Sequence, residues 1–267
     1  MIIYALIGCL IGLLILRFWY LGKHRRNFKI ATTNFNDHHH EPLVIQKAKE
    51  CLIIVTDPIG PARTGALACL IANQTISRFY ETSPTNCAPV EFLKKACFFA
   101  HRQISEQINA NSGGCSLCLI YISNKQLLYA SVGDIAIYLG DEQLQQINQF
   151  DLYKYQLRTK VLEQKISEKQ LLNNRLKNEL TAYLGHENLK KINLTTTPLA
   201  LAKSDKLVIA TKDVYQAITP LELEAITLDK GTLSQKLAKL EKTYHEQKPA
   251  TAKRQLTATA VLLANFK

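Results

Sequence analysis

An unbroken apolar stretch over residues 2–21 opens the chain and limits what this part of it can form. About 20 apolar residues in a helix match the hydrocarbon thickness of a bilayer, where the backbone must satisfy its own hydrogen bonds. The single charge in the stretch, Arg17, lies near one end, where a long side chain can reach the headgroups. The stretch therefore predicts a transmembrane helix over residues 1–22, with these positions in the bilayer or at its surface: Ile2, Leu6, Leu10, Leu14 and Trp19.

Basic residues indicate the orientation of this anchor. None precedes the stretch, and five lie within it or just after it: Arg17, Lys23, Arg25, Arg26 and Lys29. Because basic flanks stay on the cytoplasmic side, we expect a single-pass protein whose C-terminal domain is cytoplasmic. A cleaved signal peptide would need a basic leading segment and a small-residue cleavage site, and neither is present. Gly8 and Gly12 form a G-x-x-x-G pattern that would let two anchors pack as a dimer.

The net charge of the chain is +11, from 33 basic and 22 acidic residues. Such a balance suits an anionic membrane surface, an acidic partner or nucleic acid. Apart from the cluster just after the anchor, however, the basic residues are scattered along the sequence. Because neither zinc-finger spacing nor an aromatic-basic RNA-binding pattern accompanies them, we expect no nucleic-acid partner.

Seven cysteines are present, most of them in apolar runs. An odd number in a chain of 267 residues argues against a disulfide framework and for a reducing compartment. Cys115 and Cys118 have C-x-x-C spacing, but they open a strand-like run. Residues three apart on a strand point to opposite faces, so we expect two core cysteines rather than a metal or redox pair.

The rest of the chain is predicted to be a basic linker over residues 23–35 and one domain over residues 36–267. Short β-rich runs at 43–45 and 52–55 indicate a hairpin. Amphipathic helices are predicted at 64–80 and 92–108, followed by three strands within 115–139. Further elements are polar helices within 151–184, strands at 207–210 and 257–264, a helix capped at Thr219, and a helix at 232–244. Helices in sequence-adjacent pairs between groups of strands favour antiparallel sheets with helices packed outside.

Several motifs resemble, in order and spacing, those of the bacterial metal-dependent protein phosphatases (the PPM family, type 2C). Residues 55–60, V-T-D-P-I-G, are similar to the family's V-A-D-G-M-G-G turn. Residues 129–138, Y-A-S-V-G-D-I-A-I-Y, resemble A-N-V-G-D-S-R-x-Y and are the most specific match. Residues 205–214 resemble G-D-x-L-L-L-C-S-D-G-L, and residues 256–261 resemble D-N-x-T-V-V. The resemblance implies an α+β fold in a bacterial protein, a four-layer αββα sandwich of two antiparallel sheets flanked by helices. Together with the predicted anchor, this leads us to expect a location at the bacterial inner membrane.

The family hydrolyses phosphoserine and phosphothreonine with two Mg²⁺ or Mn²⁺ ions that share a carboxylate and activate a bridging water. By the resemblance, Asp57 matches the shared carboxylate, although proline follows it where the family has glycine. Asp37, Asp57 and Gly60 are the remaining candidates for holding a metal ion. Two other ligand positions have lost their aspartates: Lys212 stands at one and Leu256 at the other. Asp134 matches an accessory metal ligand, or is a turn residue.

A lysine in place of an aspartate changes the local charge by two units. At about 4 Å and an effective dielectric of about 20, one unit charge corresponds to roughly 4 kcal/mol. We therefore expect Lys212 to abolish tight binding of at least one divalent ion. We further expect its ammonium to fill the vacated position and pair with Asp57, and Asp213 to face the other way if the segment is extended.

These residues lead to two alternative expectations for function. The first is a membrane-anchored pseudophosphatase, a non-catalytic binding or scaffold subunit with a protein partner, for instance in a secretion assembly. This alternative requires no cofactor. It leaves a residual site of Asp57, Arg63 and Asp134, in which Arg63 would either contact phosphate or lie on the surface. The second is an active, divergent phosphatase that uses Asp37, Asp57 and Asp213 with Mn²⁺ or Mg²⁺.

Overall fold

The computed structural model describes residues 29–34, 41–47, 50–83, 87–109, 112–247 and 259–264. Among the described helices, none combines the length and the apolar character that crossing a membrane requires. Two groups of predictions lie outside the described residues. One is the anchor, with its side chains and its G-x-x-x-G pattern. The other comprises the metal-ligand positions of Asp37 and Leu256.

Within the described residues, the chain forms eleven strands and seven helices. The strands are β1 (Lys29–Asn34), β2 (Leu43–Lys47), β3 (Glu50–Ile59), β4 (Gly114–Ser123), β5 (Gln126–Val132), β6 (Ala136–Gly140), β7 (Gln145–Gln146), β8 (Asn193–Leu194), β9 (Leu199–Ala200), β10 (Lys206–Ala210) and β11 (Thr259–Ala264). The helices are α1 (Ala62–Thr82), α2 (Pro89–Gln107), α3 (Tyr153–Leu162), α4 (Glu168–Asn173), α5 (Lys212–Ala217), α6 (Pro220–Leu228) and α7 (Leu233–Gln247).

Two antiparallel sheets form the centre of the domain. One has the order β1-β11-β10-β6-β7, and the other has the order β2-β3-β4-β5-β8, with β9 also paired to β5. In the first sheet, Lys29, Lys206 and Gly140 share one end, while Ala210 and Ala136 share the opposite end. This register determines which of the connections between strands lie at the same end of the sheet.

Three apolar layers follow from the alternation of side chains along the strands. The first lies between α1, α2 and the sheet that contains β3; it includes Leu52, Ile54 and Ala68. The second lies between the two sheets and contains Ile53 together with residues of β6 and β10. The third separates β6 and β10 from α5, α6 and α7, and Leu240 lies within it. The arrangement is therefore the αββα sandwich of two antiparallel sheets that the sequence predicted.

Local signals in the sequence account for several of these elements. The hairpin of β2 and β3 and the two helices α1 and α2 form where the patterns predicted them. Thr219 caps α6 with a capping box, and proline occupies the first turn. Cys115 and Cys118 lie in different layers on opposite faces of β4, as expected for core cysteines.

Two segments differ from the expectation. Residues 29–34, assigned to the linker, form the edge strand β1 because Ile30 and Ala31 pair with β11 and contribute to the apolar layers. The second is the segment after β10, for which an extended backbone was considered. It turns into α5, whose N-cap is Thr211, so Lys212 and Asp213 lie in the first turn of a helix.

Candidate functional site

At one end of the sandwich, β3 and β5 end and β4 begins. These strands place polar residues between the two sheets. Asp57 near the end of β3 lies opposite Ser116 of β4 in the antiparallel register. Directly opposed residues point to the same face, and the alternation of β3 and β4 makes this the face between the sheets. The turn after β5 carries Gly133 and Asp134 to the same end, because Val132 pairs with Leu117 next to Ser116.

Asp134 is the centre of a polar network. Its side chain is 2% exposed. Oδ1 accepts a hydrogen bond from Ser116 Oγ at 3.0 Å, and Oδ2 accepts one from the hydroxyl of Tyr215 at 3.4 Å. The ammonium of Lys212 forms an ion pair with Oδ2 at 3.2 Å. A buried carboxylate needs such partners, because transfer from water without them is costly.

Helix α5 supplies two of these partners from one turn. Lys212 begins the helix and Tyr215 follows three residues later, so both side chains lie on the same face. The Tyr215 ring stacks on Phe150 with centroids 5.1 Å apart, which fixes the hydroxyl toward Asp134. Burial raises the pKa of Tyr215, and the charges of Asp134 and Asp57 raise it further, so its hydroxyl stays protonated as a donor.

Lys212 forms an ion pair with Asp134, because the helical start at residue 212 directs its side chain at the turn after β5. The pairing of Lys212 with Asp57 stays a prediction. Asp57 is half-buried beside this network, since its charge contributes to the raised pKa values of both Tyr215 and Cys115. The site thus contains two carboxylates, Asp57 and Asp134, together with the ammonium of Lys212.

Asp151 holds the turn that presents Asp134. Its Oδ2 accepts a hydrogen bond from the backbone N–H of Gly133 at 2.8 Å. Its own N–H donates to the carbonyl of Gly133, also at 2.8 Å. Burial, first, and the nearby charge of Asp134 raise the pKa of Asp151 to about 6, against the lowering effect of the Gly133 hydrogen bond. This carboxyl group therefore changes its charge a little below neutral pH.

Gly60 and Arg63, the other candidates close to Asp57 in the sequence, have different structural roles. Gly60 adopts a left-handed φ of +89°, and a side chain there would lie 3.0 Å from Gly113 Cα. Glycine is required at this turn for that reason. Arg63 lies exposed in the first turn of α1. Within the described residues, Asp134 of the predicted residual site is surrounded by polar partners.

In the part of the chain that the structure describes, the groups around Asp134 do not by themselves supply the oxygen ligands that a pair of divalent cations needs. Within the described residues, no three His, Cys, Asp or Glu side chains come together as a metal site would require. Mg²⁺ and Mn²⁺ need several oxygen ligands with net negative charge. Here Oδ2 of Asp134 already receives the Lys212 ammonium and the Tyr215 hydroxyl. An oxygen with these two partners has no lone pair directed at a metal ion.

Sequence reasoning missed Tyr215 and Asp151 as parts of this site. Tyr215 becomes visible only once the segment after β10 is helical, because the i, i+3 spacing then places it beside Lys212. The helix signal was weak, since Thr211 and Lys212 follow directly on a buried strand. Asp151 pairs with Gly133 across 18 residues of chain, and neither residue signals that contact locally.

No protein-family model matches the sequence, and no curated protein matches it significantly. Solved structures do match. The Streptococcus agalactiae serine/threonine phosphatase superposes with a TM-score of 0.72 at 15% identity, covering 89% of this chain and 99% of that one. The catalytic domain of the phosphatase PstP in complex with two manganese ions gives 0.66 at 16% identity, covering 90% and 99%. PppA of Pseudomonas aeruginosa, a key regulatory component of T6SS, gives 0.68 at 13% identity, covering 90% and 98%.

These similarities concern the fold. The chain shares the whole architecture of bacterial PPM-type serine/threonine phosphatases, because almost the full length of each relative is covered. The identity of 13 to 16% leaves the chemistry to be argued from the residues of the site.

Proposed function

We propose that this chain, built on the PPM phosphatase fold, is a pseudophosphatase: a non-catalytic binding or scaffold subunit. The observation that carries the proposal is the ammonium of Lys212, 3.2 Å from the buried carboxylate of Asp134. In this position a positive side chain neutralises the charge that a divalent cation would otherwise neutralise. The fold can then keep its acidic end without a metal ion.

Electrostatics support this proposal. At about 4 Å, with an effective dielectric of about 20, a unit charge repels each charge of a divalent ion by roughly 4 kcal/mol. A cation close to Asp134 would experience that repulsion from Lys212 and would also have to displace the Tyr215 hydroxyl. We therefore expect no Mn²⁺ binding at micromolar concentrations and no cofactor.

We also propose that the subunit is attached to the bacterial inner membrane by residues 1–22, with the phosphatase-like domain in the cytoplasm. The apolar stretch and the basic residues after it support this arrangement. The fold of PppA, a regulatory component of a secretion system, gives one example of how such a domain is used. A protein partner within a membrane or secretion assembly fits both features.

The second candidate is an active, divergent phosphatase. Its support is that Asp57 and Asp134 are both retained at one end of the sandwich, with Asp213 in the adjoining turn of α5. Such an enzyme would need to move Lys212 away from Asp134 and draw further oxygen ligands from other parts of the chain.

Calorimetry and an activity assay distinguish the two. The full chain, purified in an uncharged detergent, is titrated with Mn²⁺ and assayed on p-nitrophenyl phosphate and on phosphothreonine peptides. The pseudophosphatase proposal predicts no heat at micromolar Mn²⁺ and no turnover above the buffer. Asp57→Asn serves as the site variant, and Asp229→Asn, an exposed aspartate in a surface ion pair, is the matched control. Robust turnover that Asp57→Asn removes and Asp229→Asn keeps would establish the active enzyme instead.

A further inference from the structure

Residues 153–179, which we call the flap, form an exposed helical excursion from the site end of the sandwich. The flap contains α3 and α4, and α4 contributes no buried residue. It leaves the domain beside Asp151 and returns there, with Tyr153 N–H donating to the Glu179 carbonyl and Thr181 N–H to the Asp151 carbonyl. Two antiparallel chain ends therefore attach it directly next to the turn that carries Asp134.

The flap exposes large apolar side chains. Leu162 is 84% exposed, the highest value among the exposed large hydrophobic residues of the described chain, and Leu172 and Leu176 are each 58% exposed. A single exposed leucine is ordinary. Three within 15 positions, on two short helices and the turn after them, concentrate exposed apolar side chains in one segment of the chain.

Basic residues outnumber acidic ones in the same segment. The flap has seven lysines and arginines against three glutamates, a net charge of +4. Lys154 and Arg158 both lie over the ring of Tyr155, 5.2 and 5.7 Å from its centroid. Burial and the charge of Arg158 lower the pKa of Lys154, which reflects two cations held close together. An acidic ligand would relieve this repulsion.

We propose that the flap is a docking surface for an acidic, amphipathic segment of a partner protein, with leucine contacts at its centre and ion pairs around them. An anionic bilayer has similar chemistry, but the position of the flap disfavours it. The site end of the first sheet carries Ala136 and Ala210, and Lys29 lies at the other end of six-residue β1. A chain that arrives from the proposed anchor before Lys29 therefore enters the first sheet one strand length, about 20 Å, from its site end.

This inference goes beyond the pseudophosphatase proposal, because the flap contacts are outside the Asp134 network and hold whether or not the chain hydrolyses phosphoesters. A protein segment that carries acidic side chains and leucines on opposite faces of a helix would satisfy both features of the surface. Charge would speed and orient the encounter, and apolar burial would slow dissociation.

The test uses the full chain in nanodiscs of zwitterionic phosphatidylcholine. Three fluorescent 20-residue helical peptides are titrated by anisotropy: one with leucine and glutamate faces, one with lysine replacing glutamate, and one with serine replacing leucine. The glutamate–leucine peptide is expected to bind at least tenfold more tightly than the other two, and more weakly at high salt.

Two variants of the flap and two matched controls complete the experiment. Leu162→Ser with Leu172→Ser, and separately Arg158→Glu with Arg175→Glu, are expected to weaken peptide binding at least tenfold. Leu221→Ser removes an equally prominent leucine, 78% exposed on α6, and Lys242→Glu reverses an exposed charge on α7; both should bind as the parent does. Circular dichroism confirms that each variant is folded.

Four results would overturn the inference. They are an absence of glutamate–leucine peptide binding, equal binding of the lysine peptide, unchanged binding by both flap variants, and flap-dependent sedimentation of the nanodiscs with phosphatidylglycerol vesicles. The last result would assign the same surface to lipid. None of these measurements involves phosphoester hydrolysis, so the outcome is separate from that of the phosphatase assay.

Discussion

Asp134 combines near-complete burial with a full set of polar partners, and each partner has a different character. Ser116 and Tyr215 donate neutral hydrogen bonds, while Lys212 supplies the charge that offsets the carboxylate. The Lys212 side chain is 37% exposed and keeps part of its hydration, whereas Asp134 is almost fully buried. The desolvation cost of the ion pair therefore falls mainly on Asp134. A pair of this kind stabilises mainly by preventing an uncompensated buried charge.

Replacing Lys212 with alanine should destabilise the fold by about 1 to 3 kcal/mol at pH 7, because Asp134 would keep only its neutral donors. The measurement is urea unfolding of the full chain followed by far-UV circular dichroism. Lys239→Ala is the matched control, since the pair of Lys239 with Asp229 is about half exposed on both sides and should contribute about 0 to 1 kcal/mol. Equal effects of the two substitutions would contradict a structural role for Lys212.

Asp151 makes the stability of the fold depend on pH in a defined window. Its pKa is raised from 3.8 to about 6, so between these values the folded state holds a proton that the unfolded state releases. Its contribution to the free energy of unfolding is therefore largest below pH 4 and falls as pH rises to 6. Asp151→Asn keeps an acceptor for Gly133 N–H without the charge.

We expect this variant to be more stable than the parent at pH 7, by on the order of 1 to 3 kcal/mol, and equal to it near pH 4. Urea unfolding at pH values from 4 to 7 measures the difference. A difference between the two proteins that does not vary with pH would show that Asp151 is not the group that titrates.

The turn after β5 is the part of the site that tolerates substitution least. Gly133 has a φ of +98°, and a Cβ built there would lie 2.6 Å from Ser116 Cβ. The turn can therefore bring Asp134 against Ser116 only because residue 133 lacks a side chain. Strands β4 and β5, the Asp151 carboxylate and the Asp134 network all depend on that close approach.

Gly133→Ala should cost about 2 to 4 kcal/mol, from the left-handed backbone and the contact with Ser116 together. Thermal unfolding followed by circular dichroism measures the loss. Gly231→Ala is the control, because its nearest contact, at 3.3 Å, is with the flexible end of Gln235, and the change in stability there should be within about 0.5 kcal/mol. A Gly133→Ala protein as stable as the control would show that the turn can relax.

How far the sequence predicts these elements depends on how local their signals are. The β-rich runs of β3 and β4 and the helical spacing of α1 and α2 predicted these strands and helices, because hydrophobic patterns lie within each segment. The V-G-D motif likewise predicted a turn at Asp134, because a turn signal also lies within a few consecutive residues. The four-layer sandwich followed from the resemblance to the PPM family. The ion pair of Lys212 with Asp134 was not predicted, since it depends on α5, whose N-cap Thr211 makes no side-chain capping hydrogen bond to announce it.

The molecule as a whole combines the sandwich with an apolar segment ahead of it. The first sheet begins at Lys29, close to the basic residues that follow the predicted anchor. Under the proposed attachment through residues 1–22, we expect the end of the sandwich that holds Lys29 and Lys206 to be nearer the bilayer than the end that holds Asp134.

In bacterial cells the full chain should remain in the membrane fraction after alkaline carbonate extraction, and a chain without residues 2–21 should move to the soluble fraction. Protease added to intact spheroplasts should leave the domain uncut, and protease added to inverted vesicles should degrade it. Carbonate-soluble full-length protein would contradict the anchor, and cleavage in spheroplasts would contradict the orientation.

The ammonium that faces Asp134 has a consequence for signalling through this fold. A cation that the chain itself carries on four methylene groups is not removed by chelators, is not diluted by growth in metal-poor medium, and does not exchange with competing ions. The charge of Asp134 is thus offset from the moment the chain folds. Under the proposed function, a partner that recognises this end would meet the same Asp134 network at every magnesium or manganese concentration.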